Sequence, residues 1–288
     1  MKSLMDKIIK TNQNNTVFTD NEKIIINKYN EFYNNKIKEK KLNPNYLNPD
    51  SLIFMNDGYV EIDEDNYPFD LIETKSFILN KKYKNFKYQI NLYKKLLDFA
   101  EIKDNTGIDV LVDVGCGKGG GISFYKDFYN FNHCIGIDIT KINIDTAKKH
   151  AKNVNFYVAS ATNLPIKNDT VDVITCVESL RYYDPAIKFV EEVYRILKSN
   201  KKILISTPLS CKEEEDSLEN IFLNNGFVLD KKEDITKNVR MACAISKFRF
   251  MDISFQESEM MYVDEQRYYD ENIKYKNFIF IKKEKVYA

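Results

Sequence analysis

Tryptophan is absent, and only two histidines, His133 and His150, occur in 288 residues. Both sit at the far ends of predicted elements and read as surface residues, so no metal centre is expected. Neither sign of charge predominates. Lys and Arg number 43, Asp and Glu number 43, and the isoelectric point is near 6.8. A nucleic-acid-binding chain would ordinarily carry a basic excess, so that class is disfavoured. No apolar run approaches the roughly 18–20 residues of a membrane span, so no stable membrane insertion is expected. The N-terminal stretch MKSLMDKIIKTNQNN has no apolar segment of the kind a secretory leader needs. Cysteine is sparse and odd in number, with five residues and no CxxC. That usage predicts reduced core thiols and a cytoplasmic location. Glycine is scarce as well, yet five of the nine glycines fall in one run, VDVGCGKGGG (112–121). Glycine carries an entropic cost on folding, so such clustering needs a cause.

The length suits one large domain or a domain with an appendage. Residues 1–85 read as an N-terminal extension contributing to a lid over an acceptor site. Within it, 21–37 is a predicted helix and 43–68 is loop with short extended pieces. Residues 86–100 place Phe86, Ile90, Tyr93, Leu97 and Ala100 on one helical face. From residue 108 the pattern becomes regular. Strands are predicted at 108–114, 134–139, 155–160, 171–177 and 202–207, with helices at 121–129, 141–151 and 185–198 between them. A helix at 213–225, a further segment at 226–235 and a last strand at 273–283 follow. Alternation of short apolar strands with helices predicts an α/β fold with a mostly parallel sheet covered on both faces. Residues 236–272 are less regular and read as a cap insert in a main domain spanning 86–288.

The glycine run joins a strand to a helix, where open α/β sheets bind ligands beyond the carboxyl ends of their strands. Gly115, Gly117 and Gly120 satisfy GxGxxG, a weak signal alone. Asp138 ends the next strand about twenty residues on, placed to accept from ribose hydroxyls. The other reading of Asp138 is a cap for the helix at 141–151, a task for which Thr140 is better placed. A nucleoside-containing ligand is therefore expected. Asp113 lies at the strand end before the glycines. A carboxylate there would repel a pyrophosphate and suits a ligand bearing an amine.

The runs VDVGCGKGGG, GIDIT (136–140), ASATNLPIKNDTVDVITCVESLRYYD (159–184) and EEVYRILK (191–198) resemble, in order and spacing, the class I S-adenosylmethionine-dependent methyltransferases. The resemblance covers about 107–235. It implies a Rossmann-like, seven-stranded sheet. In the GCGxGGG loop and the VES strand end the chain looks like small-molecule enzymes: the phthiotriol/phenolphthiotriol dimycocerosate methyltransferases and, more distantly, sterol and phosphoethanolamine methyltransferases. MNDGY (55–59), EDITKNV (233–239) and YYDENIKYKNFIFIKK (268–283) look like flanking elements of the first group. The resemblance implies S-adenosyl-L-methionine as cofactor and assigns roles to matching positions. The backbone of Gly115, Gly117 and Gly119 would approach the methionine part, with Asp113 near its amino group. Asp138 would hold the ribose, and Ser160 and Ala161 would border the adenine. Cys116, Ile139 and Thr162 adjoin these positions. Val177 and Glu178 would face the sulfonium and the acceptor. Two positions depart from the family. Ser160 stands where an Asp usually accepts from the adenine amine, and Arg181 stands where relatives often carry His.

Methyl transfer from a sulfonium is an in-line displacement that depends mainly on positioning and desolvation. A base is needed only when the acceptor keeps its proton, and Glu178, Tyr182 and Tyr183 are the candidates. Arg181 would either hold an anionic acceptor or form a surface pair with Glu178 or Asp184. The side chains of Phe248, Phe250, Met251, Phe255, Met260, Met261 and Tyr262 would either wall an apolar acceptor site or pack a cap on the sheet. The sequence thus predicts a methyltransferase of a small, apolar or lipid-like acceptor, at O or C. N-methylation of a small amine or phosphobase is the alternative, since an aromatic box also holds a cation. An NAD-linked oxidoreductase would need a hydride-transfer acid that is not evident. A non-catalytic relative of the fold is the remaining alternative, against which the intact glycine loop argues. No NPPY-type turn follows the fourth strand, where CVES (176–179) stands, which disfavours adenine or glutamine N-methylation. Whether the chain is a monomer or a homodimer is left open.

Overall fold

The alternating apolar runs fold, in a computed structural model, into one central sheet with helices on both faces. The structure describes residues 4–10, 18–42, 54–62, 68–69, 83, 86–103, 107–129, 131–251 and 272–284. Helices α1 (Leu4–Ile8) and α2 (Asp20–Leu42) lead to a small ribbon, β1 (Glu61–Ile62) and β2 (Pro68–Phe69), and then to α3 (Lys87–Phe99). The alternating region follows: β3 (Val110–Val114), α4 (Gly120–Phe128), β4 (His133–Asp138), α5 (Lys141–His150), β5 (Asn155–Val158) and β6 (Val171–Val177). A 3-10 turn at Leu180–Tyr182 precedes α6 (Ala186–Ile196), β7 (Leu197–Leu209), α7 (Lys212–Asn224), β8 (Phe227–Asp234), α8 (Thr236–Met251) and β9 (Lys274–Lys282).

The sheet order is β5-β4-β3-β6-β7-β9-β8, with β9 antiparallel to both of its neighbours and the strands from β5 to β7 parallel. The chain moves outward from β3 to β5, returns to β6 and then proceeds the other way. The reversal places a crevice between the carboxyl ends of β3 and β6, where open α/β sheets bind ligands. Strands β3 and β6 are buried along their whole length. Alternate residues therefore serve different cores. Leu111, Cys134 and Val173 pack with Leu96, Ile122, Phe124 and Ile144 from α3, α4 and α5. Val110, Val112, Ile135 and Ile174 pack with Phe189, Val193, Leu218 and Phe222 from α6 and α7. Each fully buried aliphatic or Phe side chain contributes roughly 1.5–3 kcal/mol relative to exposure.

Three expectations are revised. The irregular stretch 236–272 contains a 16-residue helix, α8, whose first turn is set by Asp234 Oδ1 accepting from the Thr236 amide at 2.9 Å. Of the aromatic set expected there, the side chains of Phe248, Phe250 and Met251, and the whole of Phe255, Met260, Met261 and Tyr262, lie outside the described residues. The helix expected at 185–198 ends at Ile196, because the chain turns directly into a 13-residue β7. The cysteines are free, but only Cys116, Cys134 and Cys176 are buried; Cys211 is exposed and Cys243 half-buried.

The N-terminal segment is stitched to the main sheet layer. The Lys10 amide donates to Pro165 O at 3.0 Å and the Lys167 amide to Ile8 O at 2.8 Å, with Ile9 bridged to Ile166. This anchors the chain just before α2, whose start carries a capping box. The Glu22 amide donates to Thr19 Oγ1 at 3.2 Å, and the Thr19 amide to Glu22 Oε2 at 2.7 Å.

The last glycine of the cluster is explained by packing. A Cβ on Gly121 would stand 2.0 Å from the Tyr93 ring of α3. Gly121→Ala should therefore destabilise the protein by about 1–3 kcal/mol, the range for overpacking a core, as read by urea unfolding. Unchanged stability would show that α3 and α4 separate at no cost.

Candidate functional site

The turn after β3 is held from the neighbouring strand. The amides of Gly115 and Cys116 donate to Ile137 O at 2.8 and 2.9 Å. The Gly117 amide donates to Asp138 Oδ2 at 2.9 Å. Asp138 Oδ1 accepts from the Thr140 amide at 2.8 Å and from Asn143 Nδ2 at 3.3 Å. An ionised carboxylate has about four acceptor sites, so Asp138 Oδ2 keeps one for a ligand. Burial raises the Asp138 carboxyl above its ordinary range, opposed by the bonds from Thr140, Asn143 and Gly117. Thr140 occupies the N-cap position of α5 but makes no side-chain cap bond, so the capping role expected of it is not observed.

Gly119 caps α4 with φ 78°, a left-handed conformation that favours glycine, and a Cβ there would meet Phe156 at 2.8 Å. It packs the turn against β5 and does not line the cleft.

Asp113 is fully buried. Its Oδ1 accepts from Thr175 Oγ1 at 2.7 Å across the β3–β6 pair, while Oδ2 has no partner among the described residues. Burial pushes this carboxyl up to about 7; the Thr175 bond opposes the shift and the Asp138 charge adds to it. Natively orphaned buried carboxylate oxygens are uncommon and mark functional positions.

Beyond β6 the backbone takes a second unusual step. Glu178 has φ 56°, left-handed for a non-glycine residue, and its amide donates to Ser206 O at 2.8 Å. Such a conformation costs on the order of 1–3 kcal/mol and persists where neighbours enforce it. Glu178 Oε1 accepts from Tyr275 Oη at 2.5 Å and from the Asp57 amide at 2.9 Å. Burial raises the Glu178 carboxyl, and the Tyr275 hydroxyl bond pulls the other way. Tyr183 Oη donates to Ser179 Oγ at 2.9 Å, and Ser179 in turn donates to Val114 O at 3.0 Å, fixing that ring against the end of β3. Arg181 Nη2 donates to Tyr182 Oη at 2.7 Å and the guanidinium lies 4.8 Å from the same ring. The Arg181 charge also favours the ionised Glu178, one of the two roles the sequence offered for it, while Asp184 accepts from Asn21 Nδ2 at 2.6 Å.

These elements line a solvent-open cleft. Of the residues singled out in the sequence, Gly115, Cys116, Gly117, Asp138, Ile139, Ala161, Val177, Glu178, Tyr182 and Tyr183 line it. Asp113, Gly119, Ser160, Thr162 and Arg181 stand behind the lining. Sequence reasoning missed the contribution of the N-terminal extension. Glu22, Ile25 and Tyr29 of α2, with Phe54, Met55 and Asn56, form the facing wall. The signal available for Glu22 was TDNE (19–22), a capping-box sequence that marks a helix start.

Residues 112–205 match the family model described as methyltransferase domain. This segment is a methyltransferase domain. The chain is 28% identical over 163 residues to an uncharacterized methyltransferase of Bacillus subtilis, covering 55% of this chain and 59% of that protein. It is 30% identical over 154 residues to the phthiotriol/phenolphthiotriol dimycocerosates methyltransferase of Mycobacterium tuberculosis, covering 53% and 52%. The chain thus aligns with between half and three fifths of the length of these curated relatives. In fold it is similar to the geranyl diphosphate C-methyltransferase of Streptomyces coelicolor, with a TM-score of 0.61 at 16% identity over 92% of this chain and 98% of that one. The class I methyltransferase fold expected from the sequence is therefore present. A structure described as a [4+2]-cyclase shares it, with a TM-score of 0.58 at 16% identity over 80% of this chain and 87% of that one. Fold alone does not fix the reaction.

The Asp113 carboxyl generates a stability prediction. It titrates near 7 in the folded chain and near 3.8 as an unperturbed group. Between those values the folded state binds more protons, so stability falls as pH rises from about 4 to about 7 and then levels off. Asp113→Asn should reduce that slope, to which the raised Asp138 and Glu178 carboxyls also contribute, and stabilise the ligand-free protein at pH 8, as read by thermal unfolding across pH. An identical slope in the variant would refute the assignment.

Proposed function

We propose that the protein is an S-adenosyl-L-methionine-dependent methyltransferase acting on a small, apolar or lipid-like acceptor at oxygen or carbon. The observation that carries this reading is the arrangement of three carboxylates along the carboxyl edge of the sheet. Asp138 ends β4, Asp113 lies at the end of β3 with an orphaned oxygen, and Glu178 follows β6. The residues present fit the cofactor. The orphaned Asp113 Oδ2 suits an ammonium group, and the spare acceptor site on Asp138 Oδ2 suits a ribose hydroxyl. A pyrophosphate in the same place would face both charges, which argues against a nicotinamide dinucleotide. When bound, the cofactor supplies an electrophilic methyl group on a positively charged sulfur.

The chain's own residues supply position, dryness and a proton acceptor. The rings of Tyr29, Phe54, Tyr93, Tyr182 and Tyr183 in the cleft wall exclude water and suit an apolar acceptor. The strained backbone at Glu178 aims its carboxylate into that space, held by Tyr275 and the Asp57 amide. Glu178 would accept the acceptor's proton, or hold positive charge developing on a carbon framework. Tyr182 and Tyr183 border the acceptor, and Arg181 stiffens Tyr182. The N-terminal wall would act as the acceptor lid. The relatives named for a phthiotriol lipid and for geranyl diphosphate support an apolar acceptor class.

The deciding measurement is calorimetric titration with S-adenosylhomocysteine, with NAD as control. Micromolar binding of the first and none of the second is expected, and Asp138→Ala should weaken it by about 10- to 100-fold, the range for a lost hydrogen bond to a charged group. NAD binding alone would overturn the reading. For the chemistry, Glu178→Gln should reduce turnover more than tenfold while S-adenosylhomocysteine affinity stays within about threefold, a loss confined to the reacting step. Tyr275→Phe removes a bond that favours the ionised Glu178. The carboxyl should then titrate higher, and the acid limb of the pH–rate profile should move to higher pH. A profile identical to that of the parent would exclude Glu178 as the base.

A further inference from the structure

We propose that Glu22, from the N-terminal helix α2, supplies the carboxylate that receives the exocyclic amine of the adenine, with Ser160 as the residue that positions it. The inference rests on the cofactor reading above and locates its base-recognition group outside the methyltransferase domain.

The argument begins with the capacity of Ser160. A serine hydroxyl has one proton to donate and two lone pairs to receive. Ser160 Oγ donates its proton to Glu22 Oε1 in a short bond. It receives the Thr162 amide at 3.0 Å, and Thr162 Oγ1, 2.7 Å away, donates to the second lone pair because the Ser160 proton is already committed. The hydroxyl is therefore saturated, it is 1% exposed, and it does not line the cleft. It has nothing left for an adenine amine. Glu22 does. Its Oε1 holds the Ser160 bond and its Oε2 the Thr19 amide, two of about four acceptor sites. Glu22 lines the cleft at 6% exposure.

The position is also appropriate. The ribose carboxylate Asp138 ends β4, and the next strand outward is β5, which continues through Ala159 to the Ser160 turn. A nucleoside whose sugar lies at β4 and whose tail points to β3 must extend its base toward β5. Ala159 and Ala161 line the cleft there, and Glu22, bonded to Ser160 between them, lines it with them. An amine donating to a carboxylate makes a charge-assisted bond of the stronger kind.

The test is calorimetric titration of the full chain with S-adenosylhomocysteine and with S-inosylhomocysteine, which carries a carbonyl oxygen in place of the amine. The parent should prefer the adenosyl compound by at least about tenfold, because a carboxylate repels the carbonyl. Glu22→Ala should weaken S-adenosylhomocysteine about 10- to 100-fold. The near-isosteric Glu22→Gln, whose amide can donate to the carbonyl, should collapse the preference between the two ligands, an effect that mere helix loosening would not produce. In the Glu22→Ala background, Ser160→Asp should restore adenosyl binding and preference. Parent-like affinity and preference in both Glu22 variants would overturn the proposal while leaving the methyltransferase reading intact. Failure of the parent to bind S-adenosylhomocysteine would overturn both.

Discussion

The bond from the Gly117 amide to Asp138 Oδ2 is the interaction on which the site depends. It ties the turn after β3 to the end of β4, so the two strand ends that must cooperate cannot drift apart. With the Gly115 and Cys116 amides committed to Ile137 O, the turn is fixed by main-chain bonds rather than by side chains, which leaves its cleft-facing surface bare. The constraint propagates. Gly119 can pack on Phe156 only if the turn has this shape, and α4 starts where it does because Gly119 is left-handed. Asp113, one strand position behind, is then sealed from water with one oxygen unpaired. The buried charges oppose folding, and a ligand that neutralises them would recover that cost.

The same logic explains why the N-terminal segment belongs to the site. A saturated Ser160 leaves the β5 edge of the cleft without an acceptor of its own. The N-terminal stitch to residues 165–167 brings the start of α2 to that edge, and the capping box places Glu22 on its inner side. Tyr33 lies over the Lys118 ammonium at 5.1 Å, and Asn21 bonds Asp184. These contacts lay the helix across three loops of the cleft rim, so its seating and the shape of the base end of the cleft are mechanically one.

Much of the fold was legible because it is encoded locally. Runs such as VLVDV and VDVITCV bury every residue, and a strand buried on both faces reads as continuous apolar sequence. The glycine turn and Asp138 were legible for the same reason, since adjacent strands and short loops fix their separation. What escaped is long-range. Glu22 and Ser160 are 138 positions apart, and Tyr275 reaches Glu178 across 97. No periodicity reports such pairings. The Thr140 hydroxyl makes no cap bond although Thr140 occupies the N-cap position, and residue preference alone does not report that outcome. Helix α8 was hidden because its sequence, TKNVRMACAISKFRFM, carries no single apolar stripe at helical spacing.

The insertion of β9 between β7 and β8 brings Tyr275 to the carboxylate of Glu178. Because β9 runs antiparallel to β7, Tyr275 lies at the carboxyl end of the parallel strands, in register with Pro208. A parallel last strand would present the opposite end of its sequence there. Tyr275 is fully buried, and its hydroxyl meets the carboxylate of a residue held left-handed one position beyond β6. The backbone strain at Glu178 is thus matched by two directed bonds, one from the last strand and one from the N-terminal wall at Asp57. Segments on both sides of the methyltransferase domain reach a carboxylate of the cleft: α2 carries Glu22, and Asp57 and Tyr275 bond Glu178. The domain alone supplies the turn, Asp113 and Asp138. Its surroundings supply Glu22 to the cleft and the two groups that hold the Glu178 carboxylate.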